Sequence, residues 1–170
     1  LKEILNQRLM FKDFAYGIKD ILIFNNKIYL SFTDEIKKDC FNLSILEADI
    51  LQKKIEFNYF FKPDTCIKRD TEDLFSLHHA GGRLINFDND NIVFSIGEFR
   101  SRGLAQDPNS INGKILKINK NSKKIKILSM GHRNVQGLFF DKESNFIYIS
   151  EHGPQGGDEI NIIKDLTKII

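Results

Sequence analysis

Three times along this chain a short apolar run, a polar turn and an alternating apolar run follow one another, and this repetition limits the possible folds more than any other feature. The segments are DILIFNNKIYLSF at residues 20–32, GRLINFDNDNIVFSI at 82–96 and QGLFFDKESNFIYIS at 136–150. Anchored on Ile28, Ile92 and Ile147, they recur at about 64 and about 55 residues, a little above the roughly 40–50 of common propeller repeats. KIYLSF, NIVFSI and FIYIS alternate as half-buried strands must. The turns expected between them, Asn26-Lys27, Asn89-Asp90-Asn91 and Glu143-Ser144-Asn145, suit hairpins because Asn and Asp tolerate the left-handed backbone of tight turns.

Residues 42–50 and 54–61 follow the first hairpin, and 113–119 and 123–130 follow the second, each as candidate outer strands. Every repeat thus reads as one four-stranded antiparallel unit, and long helical periodicity is scarce. The fold class is all-β. A β-sandwich also has short strands with regular turns. The shared hairpin design, with polar clusters beside the strand ends, favours a β-propeller, whose central channel collects loops from every blade. About three blades are expected, too few to close a ring. Residues 1–14 read as the tail of a preceding blade or as a short helix.

With 170 residues the chain is long enough to bury a core. It opens on Leu1 and stops inside an apolar run, so residues 1–170 are expected to be a partial propeller, incomplete at both ends. Its 25 basic and 23 acidic residues nearly cancel, which leaves no polybasic surface for nucleic acid or anionic lipid. No apolar run approaches a transmembrane length and no signal peptide is visible, so no membrane insertion is expected. Cys40 and Cys66 lack the CxxC spacing of a zinc or redox site. Two readings stay open: buried free thiols, or a disulfide, which needs an oxidising compartment.

Residues 131–163 are dense in polar groups at both ends of one hairpin. His132, Arg133, Asn134 and Gln136 precede its first strand, and residues 151–159, EHGPQGGDE, follow its second. GHRN-x-QGL with SEHGP-x-GGDEIN, preceded by HHAGGRL at 78–84, FSIGE at 94–98 and AQDPNSINGKIL at 105–116, resembles the glucose/sorbosone dehydrogenase family. These are soluble aldose dehydrogenases that use pyrroloquinoline quinone (PQQ) on a six-bladed β-propeller. The resemblance runs over residues 17–163 and covers about half of a complete member.

The resemblance implies specific roles. His79, in H-x-x-GRL, takes the place of the general base that removes the proton from the sugar's anomeric hydroxyl, a task that suits imidazole because it titrates near neutrality. Taken alone, it is a loop histidine bonded to a neighbour. Glu98 matches the acid that orients this base, where an Asp is common. Arg133 and Asn134 match the pair that contacts the quinone and stabilises the oxyanion formed on hydride transfer; alone they read as a turn with an ion pair. His152 stands where the best-known members carry a glutamine beside the cofactor. The main-chain carbonyls of Gly153 and Pro154 match calcium ligands, and calcium accepts neutral oxygens readily. Asp158 and Glu159 read either as groups that back the residues touching the cofactor and ion or as acceptors that fix the loop, Glu159 as the more structural of the two. His78 replaces an acidic sugar contact, which argues against glucose itself.

The activity implied is oxidation of an aldose at C1 to the lactone, with a small sugar as substrate, PQQ and Ca2+ as cofactors, an external electron acceptor and a periplasmic or secreted location. Two rival readings keep the scaffold without that chemistry: a propeller that binds a protein or carbohydrate, and a calcium-dependent lactonase.

Overall fold

The computed structural model describes residues 16–69 and 75–167; the expectation for residues 1–14 lies outside them. Twelve strands form three antiparallel sheets among the described residues. The first sheet runs β1 (Ile18–Phe24), β2 (Lys27–Lys37), β3 (Cys40–Asp49), β4 (Asn58–Phe61), with the two-residue β5 (Ile67–Lys68) paired beside the start of β3. The second is β6 (Gly81–Asn86), β7 (Asn91–Ile96), β8 (Lys114–Asn119), β9 (Ile125–Met130). The third is β10 (Val135–Asp141), β11 (Phe146–Glu151), β12 (Glu159–Ile163). A 3-10 turn (Leu77–His79) precedes β6, and a five-residue helix, α1 (Arg102–Gln106), lies between β7 and β8. The first strands of the sheets pack side by side, β6 between β1 and β10, as the inner strands of consecutive propeller blades do.

Turn chemistry shifts the expected hairpin tips. Phe24 pairs directly with Lys27, so the first turn is Asn25-Asn26 and not Asn26-Lys27. Both asparagines have positive φ, 47° and 59°, as a two-residue hairpin turn of this hand requires. Asn91 is the first residue of β7; its N–H and that of Asp90 donate to Asp88 Oδ1, at 2.7 and 2.8 Å, which closes the loop one residue earlier than expected. Only residues 58–61 of the candidate strand 54–61 are strand; Lys54, Ile55 and Glu56 precede it and face solvent.

Alternation along β7 explains how the sheets stack. Ile92, Phe94 and Ile96 point into the core shared with the first sheet, where they meet Tyr29, Leu43 and Phe61. Val93 points the other way and joins Ile115, Leu128, Val135 and Ile147 against the third sheet. All four β7 side chains are fully buried, and each such burial contributes about 1.5–3 kcal/mol. The open question about the cysteines is settled: Cys40 and Cys66 form a disulfide, Cα–Cα 5.3 Å, tying β3 to the start of β5. From Phe41, next to it, a ladder of rings runs through Phe75 (5.7 Å) to Phe99 (6.0 Å), one residue beyond Glu98.

Candidate active site

The candidate residues meet at the seam between the second and third sheets. His79 ends the 3-10 turn, and Glu98 lies two residues past β7. Gly97 makes their approach possible: a Cβ there would collide with the His79 carbonyl oxygen. Its N–H donates to Ala80 O at 2.6 Å, and the Phe99 N–H donates to His79 O at 3.0 Å. With the two backbones clipped together, His79 Nδ1 lies 3.2 Å from Glu98 Oε1. Both groups are buried, His79 8 % and Glu98 2 % exposed.

The other ring nitrogen, His79 Nε2, lies 3.2 Å from Arg133 Nη2. A guanidinium only donates, so Nε2 presents its lone pair and Nδ1 carries the hydrogen shared with Glu98. This is the tautomer a base acting through Nε2 needs. Arg133 Nη1 donates to the carbonyls of His152 (2.9 Å) and Gly153 (2.8 Å), while its buried Nε lies 3.8 Å from Glu98 Oε1 and has no hydrogen-bond partner. Asn134 Oδ1 accepts from Gly81 N–H at 3.2 Å and from Gln136 Nε2 at 2.8 Å, which leaves the amide's donor end pointing away from them. Gln136 Oε1 in turn accepts from Arg83 Nη2 at 3.2 Å.

His79, Glu98, Arg133, Asn134 and Gly153 thus belong to one hydrogen-bonded web, joined by the His152 main chain. The His152 ring stands at the edge, exposed, with Nδ1 3.1 Å from Asp158 Oδ2. Asp158 also accepts the Gly153 N–H at 3.1 Å, so it fixes the loop. Its carboxyl is held below the usual range, first by the His152 hydrogen bond and then by the Gly153 N–H. Glu159 lies in β12 and accepts from Asn161 at 3.1 Å. Pro154 is exposed, and its carbonyl accepts the Gly157 N–H at 3.1 Å. A cleft of about 350 Å³ beside this loop is bounded by Gln136, Ser150, His152, Asp158 and Ile160.

Two features were not anticipated from the sequence. His132 and Glu151 form a second buried couple, Nδ1 to Oε1 2.9 Å, directly behind Arg133. Burial alone would push the Glu151 carboxyl up, but hydrogen bonds from His132, Arg133 N–H and Asn161 hold it below its ordinary range. Lys114 is fully buried under the 97–113 loop. The motifs GHRN and NGKIL mark both residues, but nothing in the motifs tells what these side chains face.

Two cofactor expectations can be weighed against this geometry. A buried, unpartnered Arg133 Nε and the donor end of Asn134 fit an oxygen-rich anionic group such as a quinone carboxylate. The calcium expectation rests on main-chain carbonyls and not on side chains; among the described residues no three His, Cys, Asp or Glu side chains converge on a metal site. The two carbonyls proposed for calcium already accept hydrogen bonds, one of them from a cation.

Comparison with known proteins identifies the family and the fold. The sequence profile of Glucose / Sorbosone dehydrogenase matches residues 16–167. The aldose sugar dehydrogenase YliI of Escherichia coli (strain K12) is 34 % identical over 129 residues, covering 68 % of this chain and 33 % of that protein. Among solved structures, the apo-form of the soluble aldose sugar dehydrogenase of Escherichia coli superposes with a TM-score of 0.70 at 27 % identity, covering 88 % of this chain and 47 % of that one. The PQQ-bound aldose sugar dehydrogenase of Streptomyces coelicolor gives 0.61 at 25 % identity, with 82 % and 42 % covered. The chain therefore spans a third to a half of the length of these relatives. Its three consecutive antiparallel sheets are blades of a β-propeller, and the chain belongs to the glucose/sorbosone dehydrogenase family.

Proposed function

We propose that this chain is the part of a PQQ-dependent aldose dehydrogenase that carries the base and one wall of the cofactor site, the whole protein oxidising a sugar at C1 to its lactone and passing electrons to an external acceptor. The observation that carries this reading is the buried Glu98–His79–Arg133 line, in which the tautomer of His79 is set from both sides. When bound, the quinone supplies a two-electron acceptor for the hydrogen at C1. His79 Nε2 takes the proton of the anomeric hydroxyl, so that hydroxyl must take the place Arg133 Nη2 now holds. Glu98 keeps the hydrogen on Nδ1 and stabilises the imidazolium that results. Arg133 and Asn134 present donors to the negative charge that develops on the acceptor. Gly153 O and Pro154 O would be this chain's contribution to a calcium site, Gly153 O first giving up Arg133. No proton transfer is assigned to the ion.

The test is a titration of the full-length apoprotein with PQQ, with and without calcium, followed by absorption and by aldose oxidation. Saturable binding and turnover are expected. His79→Ala should lower turnover by about 10²–10⁴-fold while leaving quinone affinity close to parental, whereas Arg133→Ala should weaken both. A wild-type protein that neither binds the quinone nor needs calcium would leave a binding scaffold, and a His79→Ala enzyme at the parental rate would remove the base assignment.

We propose a location outside the cytoplasm, in the periplasm or beyond, because disulfides such as Cys40–Cys66 form and persist in oxidising compartments and are rare in the cytosol. Thiol labelling of freshly lysed cells checks this: both cysteines should resist alkylation until reduced. Free thiols in the native protein would point to the cytoplasm.

A further inference from the structure

The histidine–glutamate couple at the candidate site occurs twice. His79 and Glu98 are 19 residues apart, and so are His132 and Glu151; in each pair Nδ1 meets Oε1. Each histidine precedes the first strand of its sheet, and each glutamate closes or follows the second. The two copies are offset by 53 residues, the offset that also separates Gly81 from Asn134 and Arg83 from Gln136, pairs that hydrogen bond to each other across the seam. Ser76 and Ser129 stand three residues ahead of the two histidines, giving S-x-x-H in both blades.

The copies differ at the outer nitrogen. His79 Nε2 faces Arg133 at the site, but His132 Nε2 is closed by Ser129 Oγ at 2.8 Å. With both nitrogens engaged and only 5 % of the residue exposed, His132 has no lone pair to offer a ligand. Its glutamate points at the site's backbone instead. Glu151 Oε1 accepts from His132 and from Asn161 Nδ2 at 2.9 Å, and Oε2 accepts the Arg133 N–H at 2.8 Å. The Arg133 carbonyl is taken by the Glu98 N–H at 3.1 Å, and the next carbonyl, of Asn134, by the His152 N–H at 3.1 Å. Arg133 is therefore gripped on its N–H side by the third sheet and on its C=O side by the second.

We propose that Glu151, braced by His132 and Asn161, is a positioning residue: a closed copy of the His79–Glu98 couple, turned from proton transfer to fixing the direction in which Arg133 and Asn134 leave the backbone. This rests on the reading of Arg133 and Asn134 as quinone contacts. Glutamine at 151 is the informative replacement, because its single oxygen cannot serve all three donors and its NH2 would oppose one of them.

The experiment compares full-length wild type and Glu151→Gln in two ways: amide hydrogen exchange at Arg133, and PQQ titration with steady-state kinetics. Exchange at Arg133 should quicken about tenfold and quinone affinity fall about tenfold, with kcat at saturating quinone nearly kept and the melting temperature high enough that the protein stays folded throughout. Unchanged exchange together with unchanged affinity overturns the proposal. So does a fall in kcat at parental quinone affinity, which would give Glu151 a part in the chemical step and none in placing the quinone contacts. If Glu151→Gln does not accumulate, Asn161→Ala removes one donor to the same carboxylate and should quicken exchange about two- to threefold; no change there is equally fatal. A wild type that binds no quinone would sink the proposed function, while the exchange measurement would still decide whether the bracket exists.

Discussion

Lys114 shows how a single side chain can hold the loop that runs beside the Glu98 carboxylate. Its ammonium has three N–H bonds and meets three carbonyls, Leu104 and Ala105 at 2.8 Å and Asn112 at 2.9 Å. Burial pushes its pKa down, opposed by the charge of Asp107, and the three acceptors compensate the desolvated cation. The end of α1 and the loop after it are thereby tied to β8, and Asn112 in that loop donates to Gly97 O at 3.3 Å, next to Glu98. Lys114→Met fills the same space without donors and should cost about 1–3 kcal/mol for the carbonyls left unpaired. Urea denaturation of wild type and variant measures the difference. An unchanged midpoint would mean that water replaces the ammonium without loss.

At the scale of elements, what the sequence announced and what it hid follow from range. The hairpins β1–β2, β6–β7 and β10–β11 were legible because a period of two and turn asparagines are local signals. The first tip moved by one residue because the turn is set by which two positions take positive φ, and Asn25 and Asn26 both do. β5 carries no such signal. Its two residues pair with Cys40 and Phe41 beside a covalent crosslink, and whether the two cysteines join cannot be read from spacing. In the site, motif order located His79, Glu98, Arg133 and Asn134, yet it could not show that Arg133 spans from His79 Nε2 to Gly153 O. That span depends on the docking of two sheets. The second histidine–glutamate couple is written in the sequence as a repeat at 53 residues, which hairpin anchors recurring at about 55 do not reveal.

For the molecule as a whole, the seam between the second and third sheets does two things at once. Its apolar side, Val93, Ile115, Leu128, Val135 and Ile147, buries the facing surfaces, and its end carries the polar web. The hydrogen bonds that define the web cross that seam: Glu98 N–H to Arg133 O, Gly81 N–H to Asn134 Oδ1, Arg133 Nη2 to His79 Nε2. Each sheet's own hairpins need only neighbours in sequence, so strands can pair before the seam closes, and closing it demands contacts of long sequence separation. In time, then, the site is younger than the sheets that bear it. When denatured full-length protein is diluted into buffer, slow exchange at the Glu98 amide, whose N–H donates to Arg133 O across the seam, should return after the far-ultraviolet sheet signal has recovered; simultaneous return would mean that the two blades nucleate together.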